Sequence, residues 1–256
     1  MKTALCLSGL IRDFATSGHT YNKFIAEPLG ATIFIHTWRN TNEPAGTRFA
    51  GSSGSRIENK KDFFKNIFPN NEVILEEEIY PPQDVLTSPR TSAIMYYTIH
   101  QANELKKKYE KENNFKFDLV IRARMDFFLE SQLPYEEVSA AIENKKIIYT
   151  GINLLHKGRE SGRNNWNYSG KYGVDDQFIF GSSPALDIVC DTFLNRTNLH
   201  NKSGELLLGE QLSDYNISPL RTSYRFKALR YLRTEESVYW EDYKKDTEIT
   251  MKRKCI

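Results

Sequence analysis

Short apolar bursts alternate with amphipathic polar stretches through the first half of this chain. Thr3 to Leu7 is the first burst. A run this short, bounded by turn residues, reads as a strand buried on both faces. It leads into Ser8-Gly9-Leu10-Ile11-Arg12-Asp13, a small-residue turn followed by a charged pair, and then into a helical pattern up to Glu27-Pro28. Ala31 to Ile35 predicts a second strand that ends in His36-Thr37-Trp38-Arg39. Asn40 to Ser55 is rich in Gly, Ser, Thr and Asn and reads as a long loop. Lys60 to Ile67 has helical character and Val73 to Leu75 predicts a third strand. Pro81, Pro82 and Pro89 punctuate the connection that follows. Ser92 to Tyr109 is the clearest helix, and its basic last turn suits the helix dipole.

The second half is less regular. Leu119 to Ile121 predicts a fourth strand, Tyr135 to Ile142 a helix and Lys146 to Tyr149 a fifth strand. Gly151 to Gly173 is a second long polar loop. Gln177 to Phe180 predicts a sixth strand, stopped by Gly181-Ser182-Ser183-Pro184. Two helices follow, Pro184 to Leu194 with proline in its first turn and Gly204 to Tyr215. From Leu220 onward short strand-like and polar pieces alternate, and the charged tail Lys244 to Lys254 reads as frayed. Strand and helix alternating in this way imply an α/β fold with a mostly parallel central sheet flanked by helices. No internal repeat or linker divides residues 1–256, so one domain is expected.

The fourth strand carries the chemistry that stands out. It delivers Arg122, Arg124 and Asp126 at alternate positions, and side chains two apart on a strand share a face. In an open α/β sheet, ligands bind at the strand ends. Two guanidinium groups and a carboxylate there suit a metal-bound diphosphate, the carboxylate holding the cation and the arginines the phosphate oxygens. The competing reading is a surface ion pair.

Composition narrows the classes. The 256 residues are 39% hydrophobic and 27% charged, as in ordinary globular proteins. A net charge of +2 provides no strong field for nucleic acid or membrane. Cys6, Cys190 and Cys255 are odd in number and show no metal-ligand or disulfide spacing, which fits a reducing, cytoplasmic compartment. The opening residues lack a secretory apolar stretch, and no run approaches the ~18 apolar residues of a membrane span. The sequons at Asn167, Asn195, Asn201 and Asn216 are then coincidences of an Asn-rich chain. P-loop, dinucleotide, zinc and nucleophile-elbow motifs are all absent.

Four pieces in order resemble the GT-A type of nucleotide-sugar glycosyltransferase. They are Ala4-Leu5-Cys6-Leu7 with Ser8-Gly9-Leu10-Ile11-Arg12, then Ile33-Phe34-Ile35-His36-Thr37-Trp38, then Arg122-Ala123-Arg124-Met125-Asp126, and finally Gly173-Val174-Asp175-Asp176-Gln177-Phe178-Ile179-Phe180-Gly181. The second is similar to a strand of small glycosyltransferases in surface-polysaccharide and large-virus gene sets. The likeness covers roughly residues 1 to 185. It implies a nucleoside-diphosphate-sugar donor, most simply UDP-linked, a glycan hydroxyl as acceptor, and Mn²⁺ or Mg²⁺ as cofactor. Its location would be the cytoplasm of a bacterial or virus-infected host cell.

The resemblance implies that Asp126 holds the metal at the place of the D-x-D motif, where Arg124 replaces the first aspartate. Ser8, Gly9, Leu10 and Arg12 fall at the nucleotide, Arg122 and Arg124 at phosphate. Asp176 matches the base position and Asp175 the acid before it. From the residues alone, Arg12 reaches uracil or phosphate, or pairs with Asp13 or another acid, and His36 contacts ribose or base or is a satisfied core histidine. Trp38 stacks a ring or packs, and Tyr96 and Tyr97 read as core. His156 and Arg163 could form a closing lid, or a solvated loop. Lys252-Arg253-Lys254 touches an anionic surface or is a solvated end. A sugar nucleotidyltransferase and a non-catalytic nucleotide or glycan binder are the rival functions.

Overall fold

The computed structural model describes residues 1–11, 14–38, 59–79, 91–150, 174–196, 204–224 and 226–228. The elements in chain order are β1 (Thr3–Ser8), α1 (Phe14–Tyr21, continued by a π stretch Asn22–Ala26 and a turn Glu27–Leu29), β2 (Thr32–Trp38), α2 (Lys60–Ile67), β3 (Val73–Glu78), α3 (Thr91–Glu112), β4 (Leu119–Arg124) and β5 (Phe127–Leu129). They continue with α4 (Tyr135–Glu143), β6 (Ile147–Thr150), β7 (Phe178–Gly181), α5 (Ser183–Cys190), α6 (Thr192–Asn195), α7 (Gly204–Asp214), β8 (Ser218–Arg221) and β9 (Phe226–Ala228).

The α/β expectation holds. Seven strands form one sheet in the order β3-β2-β1-β4-β7-β6-β8. β1 to β4 are mutually parallel, and β7 runs antiparallel to both its neighbours, β4 and β6. Since β6 and β8 are parallel to each other, β7 is the one reversed strand of this sheet. A separate two-stranded ribbon pairs β5 with β9.

The continuous apolar runs of β1, β2 and β4 follow from burial on both faces. Leu5, Leu7, Ile33, Ile35 and Ile121 pack with Phe14, Tyr21, Phe64 and Phe68 of α1 and α2. Ala4, Cys6, Phe34 and Val120 point the other way, against Tyr96, Ile99 and Ala102 of α3 and the apolar residues of α5 and α7. Among the described residues, no helix is long and apolar enough to cross a membrane.

Four of the boundaries differ from the sequence reading, the three strand ends for a pairing reason. β2 runs on through Trp38 and β3 through Glu78, because His36, Thr37 and Trp38 pair with Glu76, Glu77 and Glu78. β4 runs on through Arg124, held by Ser8 on one side and by the residues entering β7 on the other. The helix expected over Pro184 to Leu194 is interrupted at Asp191, whose ψ of 5° leaves the helical range. The β5–β9 ribbon has no counterpart in the sequence reading. The expected loops at 40–55 and 151–173 lie outside the described residues, and so does the tail at 244–254.

Helix α3 is tied to α5 by a buried ionic network. Lys106 Nζ donates to Ser183 Oγ at 2.6 Å and to Asp187 Oδ1 at 2.7 Å. Ser183 Oγ donates to Glu110 Oε1 at 2.7 Å, which also accepts from the Phe117 amide at 3.0 Å. Burial alone would raise the Glu110 carboxyl. Donors from Lys116, Ser183 and Phe117, with the charge of Lys106, outweigh this and hold it below its ordinary value. Removing one member strands a buried charge. Lys106→Ala is therefore expected to destabilise the fold by about 3 kcal/mol or more. Lys108→Ala, on the exposed side of the same helix, should cost less than about 1 kcal/mol. Urea unfolding of the two variants measures the contrast, and equal losses would refute the structural role given to Lys106.

Candidate active site

The chain leaves β1 toward β2 and β3 on one side and places β4 on the other. The order therefore reverses between β1 and β4, and the crevice beyond the carboxyl ends of these strands is where open α/β sheets bind ligands. Register brings the sequence candidates to that edge. Cys6 pairs with Arg122 and Ser8 with Arg124, while Ser8 also pairs with His36. Alternation puts Ser8, His36, Arg122 and Arg124 on the α3 side of the sheet.

Gly9 ends β1 with φ of 101°, a left-handed value that favours glycine. Its amide donates to His36 O at 3.0 Å, and Thr37 Oγ1 donates to its carbonyl at 2.8 Å. No atom of the described residues lies within 4 Å of where a Cβ would stand. Ser8 Oγ is buried with no hydrogen-bond partner among the described residues. Leu10 is half-buried against the α3-side core. Arg12 lies outside the described residues, as do His156, Arg163 and the basic tail.

At the end of β4 the Arg124 fork closes on Asp126. Arg124 Nε donates to Oδ1 at 2.9 Å and Nη2 to Oδ2 at 2.6 Å. Asp126 is 3% exposed, so its carboxylate is buried and this is not the surface pair considered from sequence, although the Arg124 side chain keeps 19% of its surface exposed. Tyr21 adds a hydroxyl bond to the Arg124 carbonyl. Arg122, one pleat deeper, is 2% exposed. Its Nε and Nη1 have no hydrogen-bond acceptor among the described residues. These nitrogens point their hydrogens along different edges of the guanidinium and so call for two separate acceptors.

The reversed strand supplies the opposing carboxylates. Phe178 pairs with Ala123, and the Arg124 amide donates to Gln177 O at 3.1 Å. Asp175 and Asp176, which enter β7, are thereby carried to the end of β4. Asp175 Oδ1 accepts from the Gln177 amide at 3.0 Å. Asp176 is 5% exposed and abuts the start of α7: a Cβ on Gly204 would stand 2.7 Å from its Oδ2. Tyr96 Oη donates to Gly204 O at 2.7 Å, and the Val174 amide donates to Glu205 O at 2.9 Å. Gly204, Tyr96 and Glu205 escaped the sequence reading of the site. The one available signal was a glycine opening a helix.

The electrostatics follow from enclosure. Burial raises the Asp176 carboxyl to about 6, opposed by the Arg122 charge. Burial and then the neighbouring Asp176 raise Asp175 to about 8. Burial lowers Arg122, with Asp176 opposing and Arg124 adding repulsion. Burial would lower Arg124 too, but the charge and hydrogen bonds of Asp126 raise it.

His36 is fully buried. Burial lowers its pKa, opposed by Glu78, whose Oε1 is 3.5 Å from Nε2. It meets Trp38 and Tyr97 edge-on at 5.6 and 5.9 Å. Trp38 and Tyr97 stack on each other, and Tyr97 Oη donates to Glu78 at 2.7 Å. This corner of the edge is an aromatic wall built on α3, and both Tyr96 and Tyr97 lie in the core as read from sequence.

Both Asp126 oxygens already bind Arg124, so a cation at that carboxylate would have to displace a guanidinium or sit against its charge; the residues there do not fit a metal. Among the described residues, the one group of three ligand atoms within 4.8 Å of one another is His100 and Glu104 of α3 with Asp191, the residue between α5 and α6. Lys107 Nζ already bridges it, at 2.9 Å from Glu104 Oε1 and 3.0 Å from Asp191 Oδ1.

Asp175 and Asp176 bind protons in the folded chain that the unfolded chain releases. The stabilisation this gives is complete below the ordinary value of 3.8 and is lost as pH rises through about 6 and about 8. Asp176, Glu205 and Arg122 are the charges that bear on Asp175. Asp175→Asn keeps the acceptor for Gln177 and should flatten the fall in stability between about pH 4 and pH 8. Urea unfolding across that range measures it, and an unchanged slope would contradict the raised carboxyl.

Compared with known proteins, the chain matches no protein-family model and no curated protein.

Proposed function

We propose that this chain is a glycosyltransferase of GT-A type, a hexosyl- or pentosyltransferase that moves a sugar from a nucleoside-diphosphate sugar, most simply UDP-linked, to a hydroxyl of a glycan acceptor. One observation carries the reading. Two sequence segments some fifty residues apart, Arg122 to Asp126 and Asp175-Asp176, meet at the sheet edge where the strand order reverses.

In this reading the turn Ser8-Gly9-Leu10 receives the nucleotide, where the open space over Gly9 allows close approach of backbone. The guanidinium groups receive the diphosphate, whose oxygens match the unfilled donors of Arg122. Asp176 takes the proton of the acceptor hydroxyl as its oxygen bonds to the anomeric carbon. The bond from that carbon to the diphosphate oxygen breaks, and the nucleoside diphosphate leaves with the electron pair. A carboxyl held near 6 is ionised at neutral pH and still more basic than an ordinary aspartate, as general-base work requires. Asp175, held higher, is largely protonated there and tempers the negative charge beside it.

Incubation with a panel of sugar nucleotides should release nucleoside diphosphate, not pyrophosphate; the latter would select a nucleotidyltransferase. Asp176→Asn should lower turnover by about 10²-fold or more. Wild-type kcat/KM should fall as pH drops through about 6, where the base gains its proton. Binding of a sugar nucleotide without turnover would select a non-catalytic binder. Full turnover by Asp176→Asn would remove that residue from the chemistry.

A further inference from the structure

We infer that this site holds the diphosphate of its substrate by guanidinium groups alone and needs no divalent cation. The inference rests on the glycosyltransferase reading for the identity of the anion, and on geometry for the rest.

The carboxylate at the metal position is already committed. Asp126 presents its two oxygens to Arg124 at 2.9 and 2.6 Å, in the side-on geometry that guanidinium and carboxylate groups favour. A divalent ion bound there would stand at contact distance from a positive charge in an enclosed, poorly screened place. The site also contains a second cation close by, since Arg122 and Arg124 repel one another. Adding two more positive charges to that pair is unfavourable. Adding the negative charges of a diphosphate relieves it.

Arg122 makes the same case from the donor side. It is 2% exposed, yet Nε and Nη1 have no acceptor among the described residues. A buried charged donor left unfilled is costly, and an oxyanion is the ligand that fills it. Asp175 and Asp176 offer no rival metal cage. Asp175 Oδ1 is taken by the Gln177 amide, and no third ligand joins these two carboxylates among the described residues. The Arg-for-Asp exchange at position 124 is thus a change of strategy at one place: a fixed cation stands where an exchangeable one would bind.

Calorimetric binding of UDP to the whole chain, in EDTA and again in excess Mn²⁺, tests this, with inorganic pyrophosphate in EDTA as a second probe. UDP affinity should agree within about twofold between the two conditions. Arg124→Gln should weaken UDP by about tenfold or more in EDTA, with an unchanged circular dichroism spectrum showing that it folds. Arg124→Asp should acquire Mn²⁺ dependence, seen directly as loss of the free Mn²⁺ paramagnetic resonance signal. UDP binding that vanishes in EDTA overturns the inference and leaves the transferase reading standing. So does wild-type affinity in Arg124→Gln. Pyrophosphate bound in EDTA, with no sugar nucleotide consumed, upholds the guanidinium site and removes the transferase reading. Failure of both probes to bind under every condition sinks both.

Discussion

The direction of one strand governs the charged edge of this molecule. Because β7 runs against β4, its entering end meets the leaving end of β4. Asp175 and Asp176 arrive beside Arg122 and Arg124 for that reason. A β7 running parallel to β4 would carry the same carboxylates to the far edge of the sheet. For a strand of four residues that is roughly 13 Å away. The ladder bond from the Arg124 amide to Gln177 O, at 3.1 Å, fixes the register on which this convergence depends.

Helix α3 backs the whole edge and treats buried charge in two ways. Near its C-terminal end, Lys106, Glu110, Ser183 and Asp187 satisfy one another, with Lys116 and the Phe117 amide completing the set. Such a closed network positions α5 against the sheet and leaves few donors over. Near its N-terminal end, Tyr96 fixes the first residue of α7 instead, and Gly204 leaves room for the Asp176 carboxylate. There the network is open. Arg122 Nε and Nη1 have no acceptor among the described residues, and burial holds Asp176 well above the ordinary carboxylate range. A buried guanidinium with unfilled donors beside a carboxylate of raised pKa is the combination expected where a ligand binds.

Within that open network Arg124 and Asp126 differ from their neighbours in being complete. Their bidentate pair orients the guanidinium plane against the buried carboxylate. The same pairing separates this edge from the second set of possible ligands, His100, Glu104 and Asp191, where an ammonium bridges the carboxylates. In both places a resident side-chain cation stands beside the acids.

The sequence alone determined the fold class and much of the edge chemistry. Apolar runs such as Thr3 to Leu7 and Leu119 to Ile121 are strands because no exposed element tolerates them, and residues spaced by two share a face by the geometry of any strand. Arg122 and Arg124 were legible for that reason. The boundaries of β2 and β3 were less so, because His36 to Trp38 and Glu76 to Glu78 look polar singly and are held only by pairing with each other. Tertiary structure decided the rest. Local pattern carries no information on whether a strand runs with or against its neighbour, so it could not bring Asp176 to Arg122 or Gly204 to Asp176. Nor could it tell whether Asp126 faces a cation from solution or the guanidinium two residues before it, since that choice is made by burial and by the side-chain geometry that burial enforces.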